Sequence, residues 1–138
     1  MPGLQDVPGT HYAYAYIPGQ ATAGTADTWP VFYAPANCTI TSIDWVPAAA
    51  VTGDNTNYFS LAVQNKGTAG SGSTAVTSTK AYTTGTDSVA HDGEALTLSA
   101  TAANLNVASG EVLALVRTVA ASGLAQPDGL VRIGFKYR

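Results

Sequence analysis

Charge is what this chain has least of. Asp, Glu, Lys and Arg make up 11% of its 138 residues, against roughly 25% in an ordinary globular domain. Enzymatic sites are built from convergent ionisable groups, so the scarcity argues against an enzyme and for a function carried by a surface. Histidine is almost missing as well: His11 and His91 are the two present, and neither lies in a G-x-S-x-G context or beside a partner in sequence that would orient it as a base. With one cysteine, Cys38, an intrachain disulfide is excluded. The residue is expected to be a small buried apolar side chain in a protein made in a reducing cytosol. No apolar run approaches the ~18–20 residues of a membrane helix. The opening MPGLQDVPGT has neither the basic nor the apolar region of a signal peptide. A soluble protein with no membrane partner is the expectation.

Hydrophobic residues are present at an ordinary 46%, so disorder does not explain the missing charge. The length suits one domain with a normal core. Nine acidic against six basic residues leave a formal net charge of −3. That balance argues against nucleic acid, whose binders draw most of their affinity from phosphate neutralisation.

Periodicity then sets the fold class. Residues 1–10 carry Pro2, Gly3, Pro8 and Gly9 and no repeat, which predicts an extended arm ahead of a domain over 11–138. Tyr12, Tyr14 and Tyr16 alternate with Ala13, Ala15 and Ile17, a period of two that predicts a strand. Further strands are predicted at 29–34, 38–46, 58–65, 74–84, 94–100, 111–119 and 130–137, with Phe59, Leu61 and Val63 on one face of the fourth. Gly53-Asp54-Asn55 and His91-Asp92-Gly93 supply turn chemistry, and 101–110 reads as a loop. About eight strands without an amphipathic helix predict an all-β, single-domain β-sandwich or jelly roll.

Candidate chemistry is sparse. Asp44 beside Trp45 is the one acid inside a strand pattern. It reads either as a strand-end acid bonded to a backbone donor or, with the indole, as a sugar site. Asp87, Asp92 and Glu94 gather oxygen ligands of the kind calcium takes, but without the EF-hand spacing, and read first as a solvated turn. Neither a metal nor an organic cofactor is expected.

Three features remain as candidate contact surfaces. The arm, through Leu4, Gln5, Asp6 and Val7, can order on a neighbouring subunit or fray. The row Tyr12, Tyr14 and Tyr16 packs into the core or, if left uncovered, forms a subunit contact, since tyrosine joins apolar area to a polar handle. Arg132, Lys136 and Arg138, three of the six basic residues, fall on one side of the last strand by period two. They either protect an edge strand from aggregation or contact an acidic partner.

The elements TSIDWVP…N.F.L.VQNKG, L.VA.GEVLALV and GLA.PDGLVRIGF, together spanning 39–137, resemble small tailed-phage virion proteins of the capsid decoration, head-stabilising type. The resemblance implies a β-sandwich or jelly roll that trimerises on the capsid exterior, with the major capsid protein as partner and the virion as its location. It transfers no individual functional residue. A receptor- or glycan-binding tip module of a tail fibre or spike is the alternative from another class.

Overall fold

A computed structural model describes residues 8–138. The arm residues Leu4, Gln5, Asp6 and Val7 lie outside the described residues. The chain is all-β: β1 (His11–Ile17), β2 (Asp27–Tyr33), β3 (Cys38–Pro47), β4 (Tyr58–Asn65), β5 (Thr74–Ala75), β6 (Lys80–Ala81), β7 (Glu94–Ala95), β8 (Asn106–Val107), β9 (Val112–Ala120) and β10 (Gly129–Tyr137). One 3-10 turn, Ala102–Leu105, interrupts the segment expected to be loop.

The strands form two antiparallel sheets. One runs β1-β10-β3 and ends in β7 and β8, which both pair with β3. The other runs β2-β9-β4 and ends in β5 and β6, which both pair with β4. The ten strands of the described residues thus occupy eight positions, because each outer position is split into two short pieces. Successive positions change sheet except between β4 and the β5/β6 position, which is jelly-roll connectivity. The segments 74–84 and 94–100 are therefore not the continuous strands expected: hydrogen bonds Ser78 N to Thr97 O and Ser99 N to Val76 O, both 2.8 Å, join the two outer positions across the sandwich.

The core lies between the sheets. Ile40, Ile43, Trp45, Val131, Ile133 and Phe135 from one face meet Phe59, Leu61, Val63, Leu113 and Leu115 from the other. In β3 the inward residues are Cys38, Ile40, Ile43 and Trp45. That change of parity is the work of a bulge opposite Gly134 and Phe135, where Ser42 and Ile40 are successive partners. Cys38 is fully buried, and that burial pushes its thiol pKa up, with Arg138 offsetting part of the shift.

Two expectations about faces are corrected. The last strand, β10, is not an edge: it lies between β1 and β3, so its basic residues do not protect one. The tyrosine row does not enter the core. Tyr12, Tyr14 and Tyr16 are 50%, 61% and 67% exposed, while Ala13, Ala15 and Ile17 turn inward. Ala13 and Ala15 turn inward beside Ile133 and Val131, their partners on β10, and Ile17 is fully buried at the end of the strand.

Candidate functional site

The outward tyrosines and the outer face of β10 and β3 make one continuous surface. Register places Tyr12 beside Gly134, Tyr14 beside Arg132 and Tyr16 beside Leu130. Gly134 is small for a reason. A Cβ there would come within 2.4 Å of Ser42 Oγ and 3.2 Å of the Tyr12 ring, so the missing side chain lets that ring lie across the strand.

Arg132 organises this surface. Its Nη2 and Nε donate to Asp44 Oδ2 at 2.9 and 3.3 Å, and its guanidinium lies 4.8 Å from the Tyr12 ring centroid. The hydrogen bond to Asp44 raises the arginine pKa further. Asp44 is therefore a mid-strand acid paired to Arg132, not a strand-end acid bonded to the backbone. Trp45, next in sequence, is fully buried and is not available to stack on a sugar. At the other end Asp128 accepts from Gly19 N and, by hydrogen bonding to Tyr16, raises that hydroxyl's pKa.

Two adjoining depressions cross this face. One, of about 340 Å³, is lined by Tyr14, Asp44, Val46, Gly93, Leu130 and Arg132. The other, of about 230 Å³, shares Val46 and Leu130 and continues past Tyr16 to His91 and Asp128. Of the three C-terminal cations, Arg132 and Lys136 face outward from β10. Arg138 lies past the strand end, with its Nε donating to the Cys38 carbonyl at 3.2 Å. The Lys136 ammonium is exposed and has no side-chain hydrogen bond or ion pair among the described residues. The structure thus brings Tyr12, Tyr14, Tyr16, Arg132 and Lys136 together and leaves Arg138 apart.

Val46, Leu130, Asp44 and Asp128 belong to the surface without having been singled out for it. Leu130 carried a signal: it occupies the outward parity of β10, two residues before Arg132. Asp44 stands out in the sequence as the one acid inside a strand pattern, but its pairing with Arg132 spans 88 residues of chain and leaves no local trace.

Other candidate chemistry disperses. Asp87 Oδ1 accepts from Gly53 N at 2.7 Å, Glu94 pairs with Lys80, and Asp92 stays exposed in its turn. No group of three His, Cys, Asp or Glu side chains suited to a metal ion occurs among the described residues. His11 packs against Tyr137 and Phe135, with ring centroids at 4.9 and 5.8 Å. His91 sits in a turn at a positive φ of 64°.

Compared with models of protein families, the sequence matches none, and no curated protein matches it. Among solved structures, it is similar to a chain in the structure of infectious bursal disease virus Gx strain, with a TM-score of 0.41 and 13% identity. The match covers 91% of this chain and 32% of that one, so the chain spans about a third of the length of the structure it matches. A likeness this distant assigns neither a site nor a partner.

Proposed function

We propose that this protein is a non-enzymatic structural protein of a virion, a capsid decoration protein that binds the outer surface of a phage head and stabilises it by tying major capsid subunits together. The observation that carries the proposal is the exposed row of Tyr12, Tyr14 and Tyr16 with Leu130 beside it. Large aromatic side chains on a rigid sheet face are the composition of interface cores. The sequence resemblance over 39–137 supports the same reading, and a rigid two-sheet body suits a part that must resist deformation. Many modest contacts made by repeated copies add up on a shell through multivalency.

A glycan- or receptor-binding tip remains as a second reading, favoured by one observation. The 340 Å³ depression sets Tyr14 beside the Asp44–Arg132 pair, a combination of aromatic wall and planar polar groups that suits a sugar ring. Fold alone does not choose between them, because jelly rolls serve capsids and lectins alike.

Co-sedimentation with purified heads distinguishes the two. A decoration protein binds expanded heads stoichiometrically, leaves immature shells and free DNA unbound, and loses at least tenfold in affinity when Tyr12 and Tyr16 are both replaced by alanine. Failure to sediment with any head, together with binding to host cells or arrayed glycans, selects the tip reading instead.

A further inference from the structure

We infer that β1 is a self-pairing edge: two copies of this chain join antiparallel along β1, with a two-fold axis at Tyr14, into one continuous sheet. The inference goes beyond the capsid reading, since it concerns the free protein and needs no head.

The first argument compares the edges of the sandwich. On the far side, β5 to β8 are two residues each, and backbone hydrogen bonds between 76–78 and 97–99 close the gap between the sheets. On the near side, β2 carries Pro30 and a register shift between Pro30 and Phe32, two devices that keep a strand from templating another. The remaining edge, β1, has neither. It is seven residues long, pairs with β10 without a bulge, and contains no proline, lysine or acid. Among the described residues no backbone hydrogen bond reaches its other side.

The second argument is side-chain self-complementarity. One antiparallel register brings all three outward tyrosines opposite tyrosines, pairing Tyr14 with its own symmetry mate and Tyr12 with Tyr16. Shifting it by two residues leaves a tyrosine unmatched, and shifting by one places tyrosines opposite the inward residues, against the pleat.

The third argument is charge. Lys136 lies beyond Tyr12 on β10, and Asp128 lies at the Tyr16 end. Arg132 is already neutralised by Asp44, so Lys136 supplies the positive end. Continuing the β1–β10 register, Lys136 is level with Thr10 and Asp128 with Pro18. The same two-fold sets Thr10 opposite Pro18, so Lys136 of one copy and Asp128 of the other share a row at both ends of the interface. Three strand spacings, about 14 Å, separate their backbones. At that separation exposed charges are largely screened, so the row is favourably arranged but adds little attraction, and the register rests on the tyrosines.

The test uses the full chain at concentrations from 1 to 200 μM. Sedimentation equilibrium is expected to give twice the 14.0 kDa chain mass at the upper end, and Tyr14→Lys, which places two like charges on the axis of an exposed site, to give a monomer throughout. Tyr14→Cys is expected to cross-link under mild oxidation, because residues paired on the axis have Cα atoms within disulfide reach. Tyr12→Cys alone, about 13 Å from its symmetry mate, does not cross-link, whereas combining it with Tyr16→Cys restores the bond. Buried Cys38 stays out of the reaction. A wild-type monomer across the whole range, a trimer, or equal cross-linking through Tyr12→Cys and Tyr14→Cys overturns the inference. So does a monomer that dimerises only after residues 1–7 are removed, since that assigns the edge to the arm.

Discussion

Arg117 is fully buried in a strand whose sequence, EVLALVRTV, reads as an almost unbroken apolar run. Its Nε and Nη2 donate to the carbonyls of Thr25 and Leu124 at 2.9 and 2.7 Å, its Nη1 to Gln126 Oε1 at 3.2 Å, and the guanidinium lies 4.7 Å from the Phe59 ring centroid. Burial lowers its pKa, and the nearby Asp27 charge opposes that shift. One planar fork thus ties the loop before β2 to the loop before β10. Lysine cannot present three divergent donors in a plane. Arg117→Met is expected to cost about 2–3 kcal/mol in urea denaturation and to speed amide hydrogen exchange in both loops, with Arg117→Lys recovering little of either. Gly129 works by the opposite principle. A Cβ there would lie 2.2 Å from the Trp45 ring, which is itself immobilised by complete burial. Gly129→Ala is therefore expected to lose roughly 1–3 kcal/mol through overpacking, read as a lowered urea midpoint with an unchanged m-value.

Between elements, the outer strands are held by polar contacts more than by ladder hydrogen bonds. Glu94 on β7 pairs with Lys80 on β6, and the Tyr82 hydroxyl donates to Glu94 Oε2 at 3.3 Å, so the cluster links the two sheets. Burial, then the Glu94 charge, pushes the Tyr82 pKa far above its ordinary value near 10. Because the folded pKa lies above the unfolded one, this contribution is intact below about pH 10, where the unfolded tyrosine begins to ionise, and is lost as pH rises beyond it. Denaturation midpoints measured from pH 9 to 11.5 are expected to fall more steeply for the wild type than for Tyr82→Phe; parallel curves would remove the assigned cause. This cluster also shows where sequence stops being informative. The long strands were legible: β4 falls on the expected 58–65, and β3, β9 and β10 lie within a residue or so of their expected bounds, because β4 and β10 alternate, β9 is nearly unbroken in its apolar run, and β3 is rich in β-branched residues. The outer strands were not, since their two-residue pieces answer to partners across the sandwich rather than to local pattern. For the site, the tyrosine row and Arg132 were visible, yet which way the row faced was not. Alternation fixes that two faces differ but not which of them meets the core; Ile17, fully buried at the end of β1, goes inward together with Ala13 and Ala15. Gly53 serves its turn through close approach, since a Cβ there would strike the Thr83 carbonyl at 1.9 Å.

At the scale of the whole molecule, the first strand pairs with the last, β1 with β10, and β10 in turn joins β1 to β3. The sheet that presents the tyrosine surface is therefore completed only when both ends of the domain are in place, a non-local arrangement that makes for slow folding. It also couples self-association to stability. If two copies share a sheet through β1, unfolding one chain dissolves the shared edge, and the midpoint of thermal unfolding must depend on protein concentration by mass action. For a dimer, a tenfold rise in concentration adds about 1.4 kcal/mol per dimer, which for a chain of this size moves Tm upward by about 2 °C. Scans at 5, 50 and 500 μM are expected to climb by that increment at each step for the wild type and to coincide for Tyr14→Lys. The exposed lysine removes the association without touching the core, so the variant should melt below the wild type at every concentration where the wild type is dimeric. A wild-type Tm that stays constant across the series would instead place the tyrosine row at a contact with something other than a second copy, leaving the capsid or a glycan to cover it.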